Sequence, residues 1–164
     1  MLHITFGCMF AGKSKQLVED ARYYRNARVQ VISHSLAGKT PFVISRTGDK
    51  IPCVKTDDIV LLSHKTHDVY LIDEAQFFRN LVPFVHLCLE ANKIVHVYGL
   101  VGDFHGRMFG DILRLIPHAD TVKQLYARCA CGKKALYSHR TSASVNLVDA
   151  CATYVPRCRR CFNE

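Results

Sequence analysis

One eight-residue run constrains the fold of this 164-residue chain more than any other: Gly7-Cys8-Met9-Phe10-Ala11-Gly12-Lys13-Ser14. It fits the phosphate-binding pattern G-x-x-x-x-G-K-S/T at every fixed position. Before it stands Leu2-His3-Ile4-Thr5-Phe6, which reads as a buried strand. After it, Ser14 to about Asn26 reads as a helix, with Leu17, Val18, Ala21 and Tyr24 at helical spacing. Strand, glycine-rich loop and helix together are the context that such a loop needs. The glycines let the backbone curl so that successive N–H groups face phosphate oxygens. Lys13 supplies a charge for the β- and γ-phosphates, and Ser14 a hydroxyl for Mg²⁺. An ordinary glycine-containing connection is the competing reading, and the flanking segments argue against it. The chain reads as one that binds a nucleoside triphosphate.

A chain of this length holds one good-sized core, or a main domain with a small appendage. Nearly half of it is hydrophobic, with no low-complexity tract, so it reads as globular. No stretch is long and apolar enough to span a membrane. The first residues open straight into a strand, without the charged and apolar regions of a signal peptide. The expected location is therefore the cytoplasm (of a host cell, were the source a virus). In such a reducing compartment the eight cysteines read as metal ligands or buried thiols before disulfides. The net charge of +8 invites a nucleic-acid reading. From Arg128 onward seven Lys/Arg face two acids, but that stretch has few aromatics on which bases could stack.

Val29–Ser33, Asp68–Asp73, Ile94–Leu100 and Val122–Leu125 read as further strands, and Val82–Ala91 as a helix. Phe109–Ile116 reads as a short helix stopped by Pro117. Leu36–Pro52 is polar and turn-rich, a lid or a hairpin, and Ile59–Ser63 is too short to assign. Strands alternating with helices give an α/β fold with a mostly parallel sheet. Near Arg128 the apolar strands stop, and cysteines and basic residues begin. The expected organisation is an α/β unit over 1–127 and a small lobe over 128–164.

Two constellations carry chemistry besides the loop. Val69-Tyr70-Leu71-Ile72-Asp73-Glu74 is an apolar strand ending in two acids. Asp73 stands where a phosphate-loop enzyme holds its Mg²⁺. Glu74 is placed to take a proton from an attacking hydroxyl or water, unless it is a solvated loop acid. Cys129-Ala130-Cys131 and Cys158-Arg159-Arg160-Cys161 suggest a four-cysteine structural zinc site, with Cys151 as a substitute ligand and metal-free thiols as the alternative.

Four segments resemble one family. The loop is similar to the G-P-M-F-S/A-G-K-S/T loop of type II thymidine kinases, and Asp73-Glu74-Ala75-Gln76-Phe77 to their D-E-A/G-Q-F motif. Tyr98-Gly99-Leu100-Val101-Gly102-Asp103-Phe104 with Phe109-Gly110 resembles their G-L-D-x-x-F…F-G segment, and Tyr137-Ser138-His139-Arg140 their Y-S/T-x-R. The cysteine pairs sit where that family has its zinc lobe. The resemblance implies transfer of the γ-phosphoryl of ATP to the 5′-hydroxyl of thymidine. It places the phosphates on Gly7 to Ser14 with Arg140 approaching them, Mg²⁺ at Ser14 and Asp73, and the base role at Glu74. It places the nucleoside among Met9, Leu100, Phe104, Ser138, Val145, Leu147 and Tyr154, covered by a loop around Ser138–Tyr154 termed the lasso. It assigns zinc to Cys129, Cys131, Cys158 and Cys161, and implies a homotetramer.

The chain departs from the family pattern at Cys8 for Pro, at Val101 for Asp, and at Val148-Asp149-Ala150 for the lasso's I-G-G. The lid stretch Ala37-Gly38-Lys39 lacks an acidic-Thr-Arg run, and the first cysteine pair is one residue short. Four of these five changes fall on the nucleoside or zinc side, so broadened nucleoside acceptance is expected. Two other classes compete. One is a catalytically inactive nucleotide-binding zinc protein derived from such a kinase. The other is an ATPase that grips nucleic acid through its basic lobe.

Overall fold

The computed structural model describes residues 1–143, 146–149 and 151–164. In chain order the elements are β1 (Leu2–Gly7), α1 (Lys13–Tyr23), β2 (Val29–His34), β3 (Phe42–Ile44), β4 (Lys50–Pro52), β5 (Val54–Thr56) and β6 (Val69–Asp73). Then come α2 (Leu81–Glu90), β7 (Ile94–Gly99), β8 (Thr121–Leu125), β9 (Ala127–Arg128), β10 (Lys134–Ala135), β11 (Tyr137–Arg140), β12 (Tyr154–Arg157) and α3 (Arg159–Asn163). Six strands form one sheet in the order β5-β2-β6-β7-β1-β8, and every pairing in it is parallel.

Central strands of a parallel sheet are covered on both faces, which is why β6 is apolar almost end to end and buried throughout. Its side chains alternate between two cores. Val69 and Leu71 pack with Leu17 and Ala21 of α1 and Val43 of β3. Tyr70 and Ile72 pack with Phe84 and Val85 of α2 and with Ile112 and Leu115. The carboxyl ends of β6, β7 and β1 therefore lie side by side. There the phosphate loop, Asp73 and Leu100 meet, as ligand sites in such sheets do.

One local expectation changes, and two stretches left open take a definite form. The helix expected over Phe109–Ile116 is instead a run of 3₁₀ turns, Ile112–His118, with Pro117 inside it. It starts late because Gly110 (φ 67°) crosses the backbone of Gln76, where a Cβ would lie 2.3 Å from the carbonyl oxygen. Only glycine permits that approach. The polar stretch Leu36–Pro52 contains the β3–β4 hairpin, and β5 just beyond it adds an edge strand to the sheet. Ile59–Ser63 begins with a 3₁₀ turn that drops Ile59 into the core, its first turn capped by Asp58, which accepts from Val60 N–H at 3.2 Å.

Past β8 the chain builds two short antiparallel hairpins, β9–β10 and β11–β12, followed by α3. Cys8 is buried against Cys129, Ala135 and Cys158 of this lobe, and its thiol donates to the carbonyl of Ala135 at 3.4 Å. The phosphate loop thus leans on the lobe.

Candidate active site

The loop takes its shape from close approaches and two left-handed residues. A Cβ on Gly7 would sit 2.4 Å from the carbonyl oxygen of Leu125. Phe10 has φ 71° and Gly12 φ 93°, and Ala11 N–H closes on the carbonyl of Cys8 at 3.2 Å. Lys13 opens α1, and its Nζ donates to the carbonyls of Gly7 and Cys8, 3.0 Å each. Burial lowers its pKa, against the pull of Glu74 and Asp73. The first N–H groups of α1 have no partner within the helix and face the loop, where an anion is favoured.

Glu74 follows β6 in the left-handed region, φ 50°. For a residue with a Cβ this costs on the order of 1–3 kcal/mol, and such strain concentrates at working sites. The geometry is held by Gln76. Its Nε2 donates to Glu74 Oε2 at 2.6 Å, and its Oε1 accepts from Leu100 N–H at 2.9 Å. Gly99 leaves room for that amide, since a Cβ there would lie 2.4 Å from Gln76 Oε1.

Asp73 is buried. Loss of solvation, then the negative Glu74, push its pKa up to about 7, with Lys13 opposing. Two adjacent carboxylates, Asp73 and Glu74, together with the Ser14 hydroxyl of the phosphate loop, are hard oxygen donors of the kind a divalent cation takes. The sign for stability follows from linkage. A raised carboxylate pKa favours folding below about pH 4 and costs stability as pH climbs to about 7. Asp73→Asn should therefore melt higher than wild type at pH 8 without nucleotide. It should also lose ~10²-fold or more in MgATP-dependent turnover. Thermal denaturation and steady-state assays at pH 8 check both.

A cavity of about 720 Å³ runs from the loop to the lobe. Met9, Phe10, Gly12, Lys13, Ser14, Glu74, Leu100, Phe104, Ser138, Leu147 and Tyr154 all line it. Asp73 is buried and does not line it, and Val145 lies outside the described residues. Ser138 Oγ accepts from Met9 N–H at 2.9 Å, joining loop to lobe. Arg140 is buried, its guanidinium 3.8 Å above the Phe104 ring. It donates through Nε to Tyr154 Oη at 3.1 Å and through Nη2 to the Leu147 carbonyl at 3.1 Å. Nη1 meets the Asn146 carbonyl. Arg140 thus ties together Phe104, the lasso backbone and Tyr154.

Sequence reading gave no role to Gln76, although it stands in the quoted D-E-A-Q-F segment. It also missed Asp103, whose Oδ1 accepts from His105 and Arg107 N–H at 2.9 and 2.8 Å and so shapes the loop that carries Phe104. An Asp three residues before Gly106 was the available turn signal.

The four lobe cysteines converge, with all four Sγ atoms within 4.8 Å of one another and Cys131 Sγ 3.5 Å from Cys158 Sγ. Thiolates around tetrahedral zinc, at about 2.3 Å from the metal, stand about 3.8 Å apart, so the cluster fits the ion. Backbone N–H groups of Cys131 and Cys158 draw the Cys129 pKa down to about 6, already favouring one thiolate. Gly132 (φ 86°) turns the chain so that its N–H reaches the Cys129 carbonyl at 2.8 Å. Cys151 is exposed and stands outside the cluster.

With the phosphate loop, paired acids, cavity and cysteine cluster in place, the family model described as "Thymidine kinase" matches residues 1–162. The chain belongs to the thymidine kinase family. It is 33% identical to "Thymidine kinase a" of Arabidopsis thaliana over 174 residues, covering 97% of this chain and 73% of that one. It is 34% identical to a thymidine kinase of Oryza sativa subsp. japonica, covering 97% and 65%. A thymidine kinase of Myxoma virus (strain Uriarra) is 32% identical and covers 98% of this chain and 95% of its own. Thymidine kinases of this family thus match both the loop end and the lobe end of the chain. No helix among the described residues is long and apolar enough to cross a membrane.

Proposed function

We infer that this chain is an ATP-dependent thymidine kinase, a transferase that moves the γ-phosphoryl of ATP to the 5′-hydroxyl of thymidine. The observation that carries this reading is one cavity reached by Lys13 and Glu74 at one end and walled by Met9, Leu100, Phe104 and Tyr154 at the other. Membership of the thymidine kinase family supports it. Nothing favours the inactive or nucleic-acid-bound alternatives over it.

In this reading residues 1–127 form the kinase unit and residues 128–164 the zinc-and-lasso lobe. The loop N–H groups and Lys13 bind the triphosphate. Ser14 and Asp73 would hold Mg²⁺, which when bound neutralises charge on the β- and γ-phosphates. Glu74, fixed by Gln76, accepts the 5′-hydroxyl proton. Phe104 stacks on the base, with Met9 and Leu100 as its apolar walls, and Tyr154 closes over the sugar. Arg140, which the resemblance places near the phosphates, fixes the lasso through its contacts with Tyr154, Asn146 and Leu147. Cys129, Cys131, Cys158 and Cys161 hold zinc. A cytoplasmic homotetramer completes the picture.

Substrate breadth follows from the lasso. Val148 and Asp149 line the cavity where glycine-bearing backbone would be freer, and Val101 packs against the core without a charge. A panel of deoxynucleosides with MgATP tests this. Thymidine and deoxyuridine should be phosphorylated, and at least one further deoxynucleoside at a measurable rate. Strict use of the first two would remove the claim of breadth.

A further inference from the structure

The β3–β4 hairpin is moored to the helix that follows the phosphate loop. Val43 is buried with Leu17 and Ala21 of α1, and Asp49 accepts from Arg22 of α1 at 2.7 Å. The turn between the strands is closed on itself. Ser45 N–H donates to the Asp49 carbonyl at 2.7 Å, and Gly48 N–H to the Ser45 carbonyl at 3.0 Å. Ser45 Oγ accepts from Asp49 N–H at 3.1 Å, and Thr47 Oγ1 donates to Asp49 Oδ2 at 2.8 Å. Two anchors and a closed turn fix where this tip stands relative to the start of α1.

From the tip Arg46 reaches the phosphate loop. Its guanidinium carbon lies 3.7 Å from the ring centroid of Phe10, the loop residue held at φ 71°. Arg46 and Thr47 line the same cavity as Lys13, Ser14 and Glu74. Arg46 forms no ion pair among the described residues, and its side chain is exposed. An exposed cation resting on a half-buried aromatic ring is held weakly compared with a guanidinium forked onto phosphate oxygens. Phe10 is thus a resting place that keeps the charge within reach and does not trap it, as a carboxylate would. Arg140, buried behind Phe104 and Tyr154, is committed to lasso carbonyls and Tyr154.

Resting on the thymidine kinase reading, we propose that Arg46 is a catalytic residue that moves from Phe10 to the γ-phosphoryl group during transfer. In that step the bond from the γ-phosphorus to the β,γ-bridging oxygen breaks and its electron pair stays on ADP. The bond from thymidine O5′ to the γ-phosphorus forms, and the O5′ proton passes to Glu74. Negative charge is spread over the equatorial oxygens and the departing bridge, and a planar guanidinium can meet two of them at once. Lys13, buried and bonded to Gly7 and Cys8, provides a fixed charge, whereas Arg46 provides one that swings in from the fixed tip of the hairpin.

Arg46→Ala and Arg46→Lys test the proposal in steady-state kinetics and in binding of ADP, aluminium fluoride and thymidine as a mimic of the transferring group. The expected result is a kcat lower by about 10²–10³-fold for Arg46→Ala. The thymidine KM and the melting temperature stay unchanged, and the aluminium fluoride complex is lost while ADP still binds. Arg46→Lys, which keeps the charge but not the fork, should recover only a small part. A wild-type kcat in Arg46→Ala overturns the proposal, as does a rise in the ATP KM alone or full rescue by lysine. Wild-type protein that makes no thymidine monophosphate would instead defeat the kinase reading on which the proposal stands.

Discussion

Glu74→Gln lowers kcat for thymidine phosphorylation by ~10²–10⁴-fold, the range over which a positioned general base acts. The substitution is isosteric. The amide oxygen at position 74 can still accept from Gln76 Nε2, so the left-handed turn after β6 keeps its tether. What is lost is the capacity to take the 5′-hydroxyl proton as the oxygen attacks. ATP binding rests on the loop and Lys13 and should stay within a few-fold of wild type, because neither contacts phosphate through Glu74. The substitution also removes the negative neighbour that helps push Asp73 upward, so the nucleotide-free variant should be at least as stable as wild type. Steady-state kinetics with a melting curve separate the two effects. A variant that keeps more than about a tenth of wild-type kcat would remove Glu74 from the base role.

Emptying the proposed zinc site of the lobe gives the second large effect. A structural zinc site contributes on the order of 10–16 kcal/mol of binding energy, comparable with or above the whole stability of a domain. The lobe has little core to replace it: among its five cysteines only Cys129 and Cys158 are buried, with Ala135 as their main apolar neighbour. Cys158→Ser, or treatment with a strong chelator, should release about one zinc per chain. It should also unfold the β9–β12 region at room temperature. The damage should travel to the phosphate loop by two contacts, Cys8 packed on Cys129 and Cys158 and Met9 N–H bonded to Ser138. Thymidine kinase activity should fall below detection, while the sheet persists in far-ultraviolet circular dichroism. Metal analysis that finds no zinc in active protein would remove the metal from the account.

The parts of this molecule that sequence reading reached are those where local chemistry dictates structure. The β1-loop-α1 unit was legible because G-x-x-x-x-G-K-S has few other uses, and β6 and β7 because a doubly covered strand must be apolar throughout. The two cysteine pairs were legible from spacing, which left Cys151 open as a substitute ligand, and the resemblance named the four that converge. What stayed hidden depends on partners distant in sequence. β5 is three residues long and owes its strand conformation to β2. Gly110 reads as a helix-start residue until Gln76 is seen lying against it. Arg140 was expected near phosphates by resemblance, and no local signal could show that Phe104, Asn146, Leu147 and Tyr154 would surround its guanidinium. Arg46 sits in a stretch read only as a lid or hairpin, and its importance comes from the Arg22–Asp49 mooring, which joins residues 27 positions apart.

The most direct test of the central claim is phosphorus NMR of one sample holding wild-type protein, MgATP and thymidine. The γ-phosphate resonance should disappear in step with growth of a single phosphomonoester signal, that of thymidine 5′-monophosphate, with ADP in equal amount. Growth of inorganic phosphate in its place, or an unchanged ATP spectrum, would contradict it.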